Sequence, residues 1–317
     1  VKMKQNRFSK FAWGVLIYNV AVVVWGAYVR ATGSGAGCGR HWPLCNGVII
    51  PRAPVIETII EFSHRLTSGL ALLLVLGLLI WARRAYPKGH HVRLGATGAM
   101  AFMVSESIAG ASLVLFEWVA GNISTARVVV MGIHLLNTFV LLGFIALTAW
   151  WSSGGQRFSF RGQGWPAWGL IIGLTGVMVM SMAGAITALG DTLFPSESLA
   201  QGFQQDFAAS SHLLIRLRVW HPFVAVGVGA YLLFLAQQLS LTRPSVYVNR
   251  AVWALRILYV VQLGAGLLNL ILLVPVWMQL IHLFLAVLVW ITLILLTAVT
   301  LAQSPQPAAE PITIGVS

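Results

Sequence analysis

The sequence predicts an all-α membrane protein of eight transmembrane helices, built as two pseudo-symmetric four-helix bundles. Three observations carry this prediction: uncharged stretches long enough to cross a bilayer, basic residues confined to alternate loops, and an internal repeat spanning half the chain. Composition sets the frame. Hydrophobic residues make up 58% of the chain and charged ones 9%, whereas a soluble domain carries about 25% charged residues. Water would not tolerate that much apolar surface; lipid does, provided the backbone is satisfied inside helices.

The elements follow in order. Lys2, Lys4, Arg7 and Lys10 precede an apolar run, a pattern shared with signal peptides. The run 11–29 is uncharged for 19 residues, long enough to cross. No Ala-x-Ala site closes it, so it reads as the first membrane helix. Further uncharged runs cover 66–82, 128–156, 162–190 and 219–242, and another span, 94–116, is interrupted by Glu106. The last run, 257–309, is 53 residues long and must fold back on itself. Pro275 marks the turn, since proline breaks a helix interior. The Pro- and Ala-rich residues 304–317 read as a flexible tail.

Charge orients the chain. The N-terminal segment and the loops 83–93, 157–161 and 243–250 hold twelve Lys and Arg and no acid, while Glu57, Glu117, Asp191, Glu197 and Asp206 fall on the other side. The positive-inside rule places both termini in the cytoplasm and 30–60, 117–127 and 189–218 outside a plasma membrane. The net charge of +12 therefore belongs to lipid topology. No Arg-rich face with interleaved aromatics points to nucleic acid. Cys38 and Cys45 share the first outer loop, where a disulfide is expected to persist. Two free thiols, or a metal pair with His41, are the alternatives, the second poorly spaced for zinc.

The halves repeat. Trp13-Gly14 recurs as Trp168-Gly169, Thr32 and Gly35 as Thr187 and Gly190, and Glu106-x-x-x-Gly110 as Gln262-x-x-x-Gly266. His64 pairs with His221 at an offset of 157, and His134-Leu135 with His282-Leu283 at 148. Shared order and near-constant offset indicate a duplicated four-helix unit, residues 1–157 and 158–303, inserted in parallel.

His64, His134, His221 and His282 each begin an even-numbered helix, near the outer face. Intramembrane polar side chains need partners. A hydrogen bond to a neighbouring helix would serve one histidine; four at equivalent repeat positions point to a shared ligand. Two histidines on facing helices suit an iron porphyrin. Arg65, Arg127, Arg216 and Arg218 stand near these positions, where guanidinium groups pair with carboxylates such as propionates. Glu61 precedes His64 by one helical turn and is expected to accept a proton or stabilise developing positive charge; orienting a neighbour or capping the helix N-terminus is the alternative. Its counterpart by offset is Arg218, so the acid is missing from the second half.

These residues resemble a family. Val29-Arg30-Ala31-Thr32-Gly33-Ser34-Gly35-Ala36-Gly37-Cys38 with Trp42-Pro43-Leu44-Cys45 is similar to the first outer loop of heme A synthase. Glu61-Phe62-Ser63-His64-Arg65 resembles its Glu-x-x-His-Arg motif, and Ala183-Gly184-Ala185 through Asp191 and Phe194-Pro195 its loop after the fifth helix. The resemblance implies oxidation of the C8 methyl of heme O to the formyl of heme A for cytochrome oxidase. It implies substrate heme on His64 and His134, permanent heme b on His221 and His282, Glu61 as essential acid, Arg65 beside the heme, and a Cys38–Cys45 disulfide. Partners implied are heme O, heme O synthase as its supplier, membrane lipid, an electron acceptor such as a quinone, and further copies of the chain. The sequence departs from the family at Arg40-His41, at Glu106 where Gln is expected, and at Pro222 where Arg is expected after the histidine. A diheme electron carrier and a heme transporter or chaperone are the competing functions; an acid in one half only favours the enzyme.

Overall fold

The computed structural model describes residues 6–208 and 210–302; the tail expected at 304–317 lies outside them. Among the described residues the chain forms α1 (Arg7–Ala31), α2 (Ile56–Ala85), α3 (His91–Leu115), α4 (Thr125–Ser152), α5 (Trp165–Leu193), α6 (Leu199–Phe207), α7 (Leu213–Arg218), α8 (Trp220–Thr242), α9 (Val246–Ile271) and α10 (Val276–Leu301). Eight stretches of the described residues are long and apolar enough to cross a membrane, α7 and α8 counting as one, so the chain is an integral membrane protein. The α7–α8 break has a local cause. Pro222 has no N–H for the carbonyl of Arg218 and its ring crowds that carbonyl, so the helix interrupts at Val219 and restarts at Trp220.

Side chains set the helix ends. Asn6 and Ser9 form a reciprocal capping box on α1, and Ser124 and Ser245 cap α4 and α9. His90 and His212 accept N–H bonds from Val92 and Leu214 as N-caps. The α9–α10 turn forms as expected, with Pro275 capping α10. It is tight enough to force Leu273 and Val274 to φ 58 and 59, and Val274 N–H bonds back to Asn269. The α3 end repeats this device with Trp118 N–H on the Leu113 carbonyl.

Two helices begin or end beyond the uncharged runs. α2 starts ten residues before position 66 and carries Glu57, Glu61 and His64. α5 runs on to Leu193 and takes in Asp191. Charge does not end these helices because it is paired there: Glu61 with Arg65 and Asp191 with Arg218.

In each half, four spans close a ring. α1 and α3 pack on α2 and α4; α5 and α9 pack on α8 and α10. The bundles meet along α1, α4, α5 and α10. At that seam Trp290 donates to the Phe139 carbonyl at 2.6 Å, and the two buried rings stack 5.4 Å apart. Small residues permit the close approaches, as expected where lipid removes the hydrophobic drive between helices.

Candidate functional site

All four histidines sit in the same local structure. His64 follows the start of α2 by eight residues, and His221 follows the start of α7 by the same eight. Each ring lies over a glycine of the preceding long helix. A Cβ added to Gly26 of α1 would come 3.0 Å from the His64 ring; at Gly184 of α5 it would come 3.0 Å from His221, and at Gly266 of α9 3.0 Å from His282. At Gly110 of α3 the distance to His134 is 3.8 Å. Only a residue without Cβ lets a ring reach the helix backbone so closely.

The rings are buried and incompletely bonded. Nδ1 of His64, His221 and His282 is buried without a hydrogen-bond partner among the described residues, and Nδ1 of His134 has only the Glu106 carboxylate, 3.3 Å away, beside it. His221 leans toward the Met180 carbonyl without reaching bonding geometry. Such atoms cost stability unless something else fixes the ring. His221 and His282 face each other with ring centroids 6.3 Å apart and planes perpendicular. Two metal–imidazole bonds of about 2 Å and two ring half-widths come to roughly 6 Å, so His221 and His282 are spaced as two ligands of one metal ion would be. His64 and His134 also act on each other electrostatically, with Glu106 nearby.

The halves differ around the rings. Glu106 Oε2 lies 3.3 Å from His134 Nδ1. The same carboxylate accepts Asn137 Nδ2 at 2.6 Å and the Thr138 hydroxyl. In the second half Gln262 Nε2 stands 3.3 Å from His282 Nε2. The first site thus carries a carboxyl group where the second carries an amide.

Above the first pair, Glu61 is buried. It accepts the Cys38 N–H at 2.7 Å and pairs with Arg65. Arg65 also donates to the carbonyls of His41 and Leu44, which leaves a single N–H of Nη2 for another acceptor. Cys38 and Cys45 form a disulfide. Gly37 completes the clamp: its added Cβ would meet the Glu57 carbonyl at 2.4 Å, and its own carbonyl accepts Thr58 Oγ1 at 2.7 Å. Arg218, at the position matching Glu61, does the same work with reversed charge. It pairs with Asp206 and Asp191 and reaches the carbonyls of Phe194 and Gly202. Arg30 ties the halves together, donating to the Ala188 carbonyl, Thr192 and Gln279. Arg127 holds the carbonyls of Ala120 and Asn122.

The sequence reading singled out the histidines, Glu61, Arg65 and the cysteines, and missed the glycines under His64 and His221. The repeat contained the signal: Gly26-Ala27 recurs as Gly184-Ala185 at an offset of 158, one residue from that of the histidines themselves. Asn137 and Thr138, which hold Glu106, had no such mark.

A model of the COX15-CtaA family, cytochrome oxidase assembly proteins, matches residues 9–294. The chain belongs to this family. A relative named Protoheme IX farnesyltransferase, from Thermus thermophilus, is 54% identical over 84% of this chain and 44% of its own length. Heme A synthase of Lysinibacillus sphaericus is 37% identical over 44% of this chain and 45% of the relative. Heme A synthase of Geobacillus kaustophilus is 43% identical over 35% of each. The matched part is thus about half or less of the length of these curated relatives.

Proposed function

We propose that this family member is a heme A synthase: an oxidoreductase that converts the C8 methyl of heme O to a formyl group through hydroxylated intermediates. The observation that carries the reading is one histidine-on-glycine cradle built twice, with carboxylates at two matched positions of the first copy only. Glu61 and Glu106 attend His64 and His134, whereas Arg218 and Gln262 stand in their places beside His221 and His282. The names of the relatives support it. Two are heme A synthases, and the third acts, by its name, on protoheme IX with a farnesyl group. Farnesylated heme is what the proposed reaction consumes, so a heme O synthase is the natural supplier.

In this reading residues 1–157 hold the substrate heme on His64 and His134. Residues 158–303 hold heme b on His221 and His282. When bound, heme b supplies a one-electron redox centre. The protein's own groups do the rest. Gly26 sets how deep the His64 ring sits, and Glu106 stands at the Nδ1 edge of His134. Glu61 keeps negative charge one turn before His64, where it accepts a proton or offsets positive charge developing on the substrate. The Cys38–Cys45 loop, tied to Glu61 through the Cys38 N–H and to Arg65 through the carbonyls of His41 and Leu44, covers that end and limits water. Both histidine pairs lie toward the outer face of the plasma membrane, with the termini in the cytoplasm, and electrons leave to a membrane acceptor such as a quinone.

The test is expression with heme O supply, followed by extraction and identification of hemes by chromatography and mass. Heme A or its hydroxylated precursor is expected from the wild type and absent from Glu61→Ala. Two unmodified b hemes in every preparation would assign the chain to electron transfer instead.

A further inference from the structure

The seam between α2 and α3 carries an apolar groove of about 460 Å³. Leu72 of α2 and Val104, Ser107 and Ala111 of α3 line it, and Trp42 of the disulfide loop and Phe116 close its outer end. From position 104 to 116 the helix rises about 18 Å. The serine hydroxyls here offer the groove no donor, because Ser107 bonds back to the Met103 carbonyl at 3.0 Å and Ser112 to Ala109 at 2.7 Å. Ser107 and Ala111 are each one residue along α3 from Glu106 and Gly110, which face His134. The groove therefore runs beside the first histidine pair and opens toward lipid, where Ile108 is 64% exposed.

The repeat supplies an internal comparison. At the offset of 156 that relates Glu106 to Gln262, the small residues Ser107, Ala111 and Ser112 correspond to Leu263, Leu267 and Leu268. Across the equivalent α8–α9 seam the buried Tyr259 ring sits on Gly229, where an added Cβ would meet it at 2.3 Å, and its hydroxyl bonds to the Ala225 carbonyl at 2.8 Å. Gly229 and Tyr259 correspond to Leu72 and Met103 at offsets of 157 and 156. Tyr259 fills the second seam at this level, whereas Leu267 and Leu268 nearer its outer end stand exposed; the first seam is lined by small side chains at the matching positions.

We infer that the α2–α3 groove holds the isoprenoid tail of the substrate heme, with the porphyrin between His64 and His134. The inference rests on the proposed function. A tail of three isoprene units, extended, is of the same length as the groove and is wholly apolar, which suits a lining without free donors. Heme b has no such tail, and its half has the filled seam. The open flank lets a lipid-soluble tail enter sideways from the bilayer while the loop above stays closed.

The test transplants the second-half residues: Ser107→Leu, Ala111→Leu and Ser112→Leu, singly and together, in the full chain purified in lipid nanodiscs. Heme O and protoheme, which lacks the tail, are titrated optically into each protein, and KM for heme O is measured. The triple variant is expected to bind heme O at least tenfold more weakly and to raise its KM similarly. Protoheme binding should stay within twofold, and the heme of the second pair should be retained as a control for folding. Trp42→Ala, which opens the groove without filling it, should weaken heme O selectively as well. Equal affinity for heme O in the variants and wild type, or equal loss of both hemes, overturns the inference. If wild type discriminates the two hemes but never oxidises heme O, the proposed function fails while the groove stands.

Discussion

Gly266→Ala tests the histidine cradle at one of its three close contacts. In a helix interior, replacing glycine by alanine stabilises by up to about 1 kcal/mol. The added Cβ at position 266 falls 3.0 Å from Cε1 of His282, whereas carbon atoms rest at about 3.5–4.0 Å. The ring must retreat by roughly half an ångström or more, and overpacking of this kind costs about 1–3 kcal/mol. The two effects nearly cancel in overall stability, so the variant folds. They do not cancel at the ligand, since a held group tolerates displacement of only about 0.5 Å. The expected outcome is a thermal midpoint close to that of wild type and heme b affinity down by about tenfold, equivalent to about 1.4 kcal/mol. Heme-to-protein ratio and the reduced-minus-oxidised spectrum of the purified protein read this directly. Gly110→Ala is the control: its Cβ would stand 3.8 Å from His134, an ordinary contact, so the first site should keep its ligand. Full heme b content and an unchanged spectrum in Gly266→Ala would refute the reasoning.

Two further predictions concern the first half. Joint replacement Cys38→Ser and Cys45→Ser opens a short loop, with an expected cost of about 2–3 kcal/mol. Because the Cys38 N–H bonds to Glu61, heme O oxidation should fall while heme b of the second half stays bound, as measured by product yield and heme spectra from one preparation. Glu106→Gln removes the carboxylate from His134 Nδ1 and gives the first site the amide of the second. A carboxylate on that nitrogen raises the basicity of an imidazole ligand, so the reduction potential of the first site should rise, and Gln262→Glu should lower that of the second. Spectroelectrochemical titration of both variants measures it; potentials equal to wild type would count against the contact.

The parts of this fold visible in sequence are those governed by periodicity and repetition. Eight spans follow from uncharged length, and the turn at Pro275 follows from one residue that cannot continue a helix. The less visible parts depend on partners distant in sequence. α2 extends through Glu57 and Glu61 because Arg65 and the Cys38 N–H satisfy the acid, which no local propensity reports. α6 and α7 lay within a segment read as loop. They gather around Arg218, which pairs with Asp191 and Asp206 from either side. Arg65 was legible as an outer arginine near a histidine, but its engagement with the carbonyls of His41 and Leu44 depends on how the disulfide loop folds back. The glycines beneath the histidines lie between these cases, repeated in sequence yet meaningful only once a ring is seen above them.

What the repeat conserves and what it changes fall in different places. The four histidines and the four glycines beside them are kept, and at Gly26, Gly184 and Gly266 contact explains why: a ring 3.0 Å from an added Cβ tolerates no larger neighbour without shifting. The changes gather on one side of that cradle. Glu61 becomes Arg218, Glu106 becomes Gln262, and Ser107, Ala111 and Ser112 become leucines. Charge reversal at the first position leaves the loop anchored in both halves, because Arg218 finds acids where Glu61 finds an arginine and an N–H. These particular changes, on α2 and α3, are what the two proposed occupants of unlike chemistry would require: a tailed substrate that enters from lipid and meets a carboxylate, and a resident group without a tail.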